Sequence, residues 1–225
     1  LGKTDTSEAM MNFWIRNTAL TAWLLAILAS MAPSKAEQTD FNEVGKQMVI
    51  MLQNSHFARL PFNEELSERF LEDYLSSLDS QRLYFTQKDV NGFKQAYGNR
   101  LHSMLLEGES MPAAIEIYSA FRERVSQRVG QTEELLADGA FDYTKQDSVM
   151  MSRKDAEWPA DETEAKRLWR LQIKEAVLSE NLRKEMVSRL AEEQNKVDPG
   201  EGDRSPREKV SLRYKRFLSS VEDAD

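Results

Sequence analysis

The sequence predicts an all-α fold. Three observations carry the prediction. Apolar residues recur at spacings of three and four through most of the chain, several of those runs open on a helix-capping signal, and no stretch reads as a credible strand or an internal repeat.

The runs follow in order. Phe41 to Gln53 is a first helix, apolar at Val44, Met48, Met51 and Leu52, and Leu60-Pro61-Phe62 ends that element because proline cannot continue it. Phe57 to Gly108 then reads as a helix, a tight corner and a second helix. Asn63 is an N-cap with Glu64 and Glu65 in the first turn, followed by an apolar face of Leu66, Phe70, Leu71, Tyr74, Leu75 and Leu78. Asp79-Ser80-Gln81-Arg82 breaks the pattern. Thr86 and Asp89 form a capping box, with Phe85 and Val90 placed as a hydrophobic staple. The helix they open is expected to run through Val90, Phe93, Tyr97, Leu101, Met104 and Leu105 to Gly108, with Gly92 and Gly98 inside it. Each glycine costs about 1 kcal/mol relative to alanine, so packing must hold this helix.

Met111 to Leu136 is the longest run, through Ile115, Tyr118, Phe121, Val125, Val129 and Leu136. Gly130 and the drift of its pattern favour intramolecular core over a coiled coil, which needs a sustained heptad. After Gly139, Phe141-Asp142-Tyr143-Thr144 is irregular, and Lys145 to Asp155 is a polar connection interrupted by Val149-Met150-Met151. Ala156-Glu157-Trp158-Pro159 leads to Asp161, an N-cap with Glu164 behind it, and a helix through Ala165, Leu168, Trp169, Ile173, Ala176 and Val177. Asn181 to Gln194 reads as a separate, weaker helix with Met186, Val187 and Leu190. Lys196 to Asp203, with Pro199, Gly200 and Gly202, reads as an exposed loop. Ser205-Pro206-Arg207-Glu208 starts a last helix with serine cap, proline at the first position and glutamate at the third. Its face is Val210, Tyr214, Phe217, Leu218 and Val221, with nothing in the sequence that obviously covers it.

Composition bounds the function. The chain has 225 residues, 40% of them apolar and 30% charged, with a formal net charge of −8 and charges interleaved. A nucleic-acid partner, which requires a concentrated basic face, is not expected. There is no cysteine, which excludes disulfides, thiolate metal sites, a cysteine nucleophile and a lipid-modified cysteine.

The N-terminus points to export. Residues 1–9 are a polar leader. From Met10 or Met11, Arg16 supplies a positive region, Leu20 to Ala29 a short apolar core, and Ser34-Lys35-Ala36 small residues at a cleavage site, so 10–36 reads as a signal peptide. A core of about ten residues falls short of the roughly 20 needed to span a bilayer, which favours cleavage over a permanent membrane anchor. The mature region is 37–225, and the expected compartment is the periplasm.

Several segments, in this order, resemble the N-terminal region of the periplasmic tail-specific (carboxy-terminal processing) proteases. They are Ser55-His56-Phe57, Leu78-Asp79-Ser80-Gln81-Arg82-Leu83-Tyr84-Phe85, Phe141-Asp142-Tyr143-Thr144, Ala156-Glu157-Trp158-Pro159 with Leu168-Trp169, and Arg213-Tyr214-Lys215-Arg216. The resemblance implies a parent enzyme in which a helical N-terminal domain precedes a PDZ domain, a serine endopeptidase domain with a serine–lysine dyad, and a helical C-terminal region. This sequence covers the first part, and no position in it matches the family's catalytic serine or lysine. The PDZ and protease domains, protein substrates and adaptor proteins are the partners the resemblance implies.

The residues themselves show no catalytic, cofactor-binding or metal site. No nucleophile elbow surrounds any serine. His56 and His102 are the only histidines and neither has a second at helical spacing, so each is expected as a hydrogen-bonded residue at a packing edge. Asp198, Glu201 and Asp203 do not have EF-hand spacing and read as a solvated turn. Glu64-Glu65, Glu133-Glu134 and Glu192-Glu193 are adjacent in sequence, point apart on a helix and read as solvated faces. Trp158, Trp169 and Phe141 are either core anchors or a peptide-binding surface, and their helical and turn positions favour the core.

Two functions follow as expectations. The first is a non-catalytic domain of an exported protease; the alternative is a stand-alone periplasmic scaffold or adaptor. Exposure of Tyr214, Phe217 and Val221 would imply a missing domain, and their burial would favour independence.

Overall fold

A computed structural model describes residues 39–55, 61–138, 141–193 and 204–224. The leader and signal segment, Leu60, His56, Gly139 and the loop from Lys196 to Asp203 lie outside them. Among the described residues there are seven helices and no strand: α1 Phe41–Ser55, α2 Glu64–Leu78, α3 Gln87–Tyr97, α4 Leu101–Glu107, α5 Met111–Ala137, α6 Glu162–Glu193 and α7 Pro206–Glu222. The all-α expectation holds, and no described helix is long and apolar enough to cross a membrane.

The predicted caps are in place. Asn63 Oδ1 accepts the Leu66 N–H at 3.1 Å, and Thr86 with Asp89 and Ser205 with Glu208 each form a complete capping box. Asp161 Oδ1 accepts the Glu164 N–H at 2.9 Å while Glu164 Oε2 accepts that of Ala160 at 2.8 Å, fixing the start of α6. These acceptors satisfy first-turn donors that a helix cannot satisfy internally.

Four expectations are corrected. The helix drawn through Gly98 breaks there: α3 stops at Tyr97 and α4 begins at Leu101. A Cβ at Gly98 would lie 2.6 Å from the Lys94 carbonyl oxygen, so only glycine fits the tight junction that redirects the chain. The two helices expected around Asn181 are one, since α6 runs unbroken for 32 residues. Nothing between Val177 and Asn181 is a glycine or proline, and a weakening apolar pattern is not a break. Phe70 and Ile115, assigned to apolar faces, are exposed.

The fourth correction is α1. It docks on α4 through Gly45 and Val49, not through its predicted apolar face. Phe41, Val44, Met48, Met51 and Leu52 are all exposed, while Val49 is buried. Gly45 sits against Leu105, where a Cβ would have 3.4 Å of room, and Asn42 Oδ1 accepts the Met111 N–H at 2.9 Å, capping α5 from outside.

The last helix, for which the sequence offers no cover, is packed. α7 lies against α5 and α6, burying Val210 and Val221. The Tyr118 hydroxyl donates to the Val221 carbonyl at 2.7 Å and Arg207 to that of Leu136 at 2.7 Å. Two apolar clusters result. One gathers Leu71, Leu75, Phe85, Val90, Phe121 and Val125, and the other Leu83, Phe141, Trp169, Ile173, Val177 and Val210; Tyr84 and Tyr214 pack against both.

Candidate functional site

The corner between α2 and α3 is the place where the chain concentrates its buried polar groups. Asp79, 1% exposed, accepts the N–H groups of Leu83 at 2.9 Å, Tyr84 at 2.8 Å and Phe85 at 3.0 Å. Burial raises its carboxyl above the ordinary value, against the pull of those three amides and of the Arg128 charge. Arg82 takes a left-handed backbone, φ 51°, which aims its guanidinium over the Trp158 ring at 5.3 Å and onto the Ala156 carbonyl. The Gln87 N–H reaches the Pro159 carbonyl at 2.7 Å, so Ala156–Pro159 is clamped to the corner.

Beneath it, Arg128 of α5 is fully buried. It donates to the Leu83 carbonyl at 3.3 Å and pairs with Glu162 at the start of α6 at 2.7 Å. Burial alone would raise the Glu162 carboxyl, but the Arg128 hydrogen bond and charge outweigh it and hold it below the usual range. The Trp169 indole N–H donates to Thr132 Oγ1 at 3.0 Å, and Thr132 in turn to the Arg128 carbonyl at 2.9 Å. Trp169 meets Tyr214 with ring centres 5.1 Å apart and Tyr84 at 5.4 Å. Four short segments far apart in sequence thus lock one junction of α5, α6 and α7.

Beside the junction runs a groove. A cleft of about 260 Å³ is lined by Tyr84, Trp169, Tyr214, Gln172 and Arg153, and a second of about 200 Å³ by Leu168, Leu171, Arg167 and Ser148. Both share Leu83, Val149, Met150, Arg153 and Gln172. Burial pushes the Tyr84 and Tyr214 hydroxyls above their ordinary range, so both stay neutral donors at physiological pH.

These junction segments are also where the resemblance lies, and comparison with known proteins agrees. Residues 48–225 match the family described as tail specific protease N-terminal domain. The chain belongs to that family. It is 25% identical over 189 residues to a protein named tail-specific protease from Haemophilus influenzae, an alignment covering 78% of this chain and 27% of that protein. The chain therefore spans about a quarter of the length of this relative.

Within the domain, the residues weighed for chemistry fall into place. Trp158, Trp169 and Phe141 are core anchors, all buried. His102 lies where α4 meets α2, at a packing edge as expected, but the hydrogen bond is made by its backbone N–H to Ser67 Oγ at 3.1 Å, and the ring Nδ1 is buried without a partner. Glu133 is not simply solvated. It binds Ser211 at 2.6 Å and Lys215 at 2.6 Å, joining α5 to α7, and the lysine's hydrogen bond lowers its carboxyl below the usual value. Ser211 and Lys215 both donate to that one carboxylate, Ser211 to Oε1 and Lys215 to Oε2. Glu64 and Glu65 are exposed in the first turn of α2. His56, Asp198, Glu201 and Asp203 lie outside the described residues.

Sequence reasoning treated Asp79 only as a breaker and missed Arg128. The signal for Asp79 was available: an aspartate at a helix end, followed by residues whose N–H groups a compact corner must satisfy. Arg128 gave none, because an arginine inside an amphipathic helix reads as surface.

Proposed function

We propose that this domain is the non-catalytic N-terminal segment of an exported carboxy-terminal processing serine endopeptidase, where it helps capture protein substrates and positions the PDZ and protease domains. One observation carries the reading: the family-resembling segments are spent on structure. Asp79 holds the amides of the corner, and Trp169 bonds Thr132 and meets Tyr214, with the Arg128–Glu162 pair packed beneath them. A rigid hub of that kind suits a platform on which other domains are mounted. The stretch at 10–36 supports export.

Two measurements test the proposal. The purified chain leaves a peptide with an apolar C-terminal tail uncut; serine-dependent turnover would refute the absence of a catalytic site. Top-down mass spectrometry of the native polypeptide finds peptides that continue past Asp225 into PDZ-like and protease-like sequence. The packing of α7 is the observation that favours the stand-alone scaffold instead, and a native product running from about Glu37 to Asp225 would establish that reading.

A further inference from the structure

We propose that Met150 and Met151 form a methionine-oxidation site. A hydroperoxide converts both thioethers to sulfoxides there, and Arg153 assists the reaction at Met150 and then holds the sulfoxide oxygen.

Access and backbone set this pair apart. Met151 is 93% exposed and Met150 56%. Met48, Met51 and Met186 match Met150 in exposure, but they stand inside helices α1 and α6. Met150 and Met151 lie outside any helix. From Ser148 to Ser152 the main chain bonds to no other main-chain group among the described residues. Oxidation makes a flexible apolar side chain polar, which is most damaging in a core or an apolar interface. On this exposed segment it breaks neither.

A fixed donor distinguishes Met150. Arg153 is tethered twice: its backbone N–H donates to Gln81 Oε1 at 3.1 Å and its Nη2 to the Glu157 carbonyl at 3.1 Å. Nη1 is then directed at the Met150 sulfur, 3.9 Å away. No other methionine sulfur accepts a hydrogen bond among the described residues. A thioether is a weak acceptor, so this loose contact leaves the sulfur lone pairs free to react.

The step balances with a hydroperoxide as oxidant. Sulfur attacks one peroxide oxygen, an S–O bond forms and the O–O bond breaks. The second oxygen takes up the displaced proton and leaves as water or an alcohol. Sulfur gives up two electrons and the peroxide gains them. Negative charge builds on the departing oxygen, and a guanidinium N–H fixed beside the sulfur stabilises it.

The product is also the better partner. Its oxygen sits one bond from the sulfur, within reach of the same Nη1. A charge-assisted bond to oxygen is stronger than one to a thioether. Met150 lines both clefts, so oxidation turns an apolar part of their walls polar and ties the segment more firmly to Arg153. Methionine sulfoxide reductases reverse the change, which makes the site a switch rather than a lesion.

The test treats the full 225-residue chain with dilute hydrogen peroxide, digests it at intervals and follows oxygen gain at each methionine by mass spectrometry. Met150 and Met151 oxidise about threefold faster than Met48. Because Met48 matches Met150 in exposure, equal rates for those two overturn the proposal on the native chain alone. Arg153→Gln slows Met150 to the rate of Met48 and leaves Met151 as it was. An unchanged Met150 rate with unchanged circular dichroism overturns the assistance by Arg153. Met150→Gln places an amide oxygen where the sulfoxide would be, and melts above Met150→Leu. An equal or lower melt overturns the claim that Arg153 holds the oxidised side chain.

Discussion

Helices α1 and α7 carry comparable apolar stripes in sequence, yet one stripe is buried and the other faces out. In α7, Val210 is 0% and Val221 7% exposed; in α1, Met48 is 55% and Met51 58% exposed. The difference lies in what accompanies the stripe. α7 brings polar partners to both neighbours: Ser211 and Lys215 to Glu133 of α5, and Arg213 to the largely buried Glu180 of α6 at 2.5 Å. α1 brings a glycine, which permits close approach to α4 on another face, and one asparagine that caps α5. Periodicity therefore announces a helix, while small residues and polar partners choose the face that docks.

The largest effect is expected at the well-packed end. Trp169→Ala removes the largest fully buried side chain and leaves Thr132 without its donor, costing about 4 kcal/mol in chemical denaturation. A cost below about 1.5 kcal/mol would show that the junction is not the stability centre. Next is the corner. Asp79→Ala strands three N–H donors at once, and about 3 kcal/mol is expected. Asp79→Asn keeps one acceptor oxygen and should lose less; equal losses would mean that shape, not hydrogen bonding, sets the corner.

These two residues also mark the limit of what was legible. The helices, four side-chain caps and the aromatic anchors follow from local signals that sit within four residues of one another. The docking face of α1 depends on neighbours distant in sequence, while the break at Gly98 and the continuity of α6 have local causes that the apolar periodicity does not encode. Of the candidate site, the aromatic residues were visible, but the groove was not. It exists because Val149–Met151 crosses over α6, and only the fold brings those two together.

Glycines sharpen the comparison at a smaller scale. Gly98→Ala forces a Cβ against the Lys94 carbonyl and should destabilise by about 1–2 kcal/mol. Gly92→Ala and Gly130→Ala meet nothing within 4 Å inside helices, and each should stabilise by about 0.5–1 kcal/mol. Opposite signs in thermal melts confirm the distinction; a shared sign would break it.

Acid sharpens it further. Burial alone would raise the Asp89 carboxyl, but hydrogen bonds from Arg124 and Thr86 outweigh it, and Asp89, like Glu162, lies below its ordinary value. The stabilisation from these two groups is complete above the unfolded-state values near pH 4 and is lost as pH falls through the lower folded ones. Asp79, raised by burial, has the opposite sign and partly offsets them. Glu162→Gln should therefore make the acid limb of the stability profile shallower, and an unchanged limb would remove the Arg128 pair from the account.

The smallest effect is expected at α1. Met48 and Met51 are more than half exposed, so their substitution by serine removes little buried surface. Serine costs about half a kcal/mol in intrinsic helix preference at each position. Met48→Ser with Met51→Ser should thus shift the denaturation midpoint by no more than that sum, while Val49→Ala, a smaller chemical change on the docked face, should cost about 1 kcal/mol. If the double substitution proves the more damaging, the outward stripe is covered in solution. The contrast between α1 and α7 would then reduce to a difference in which partner does the covering.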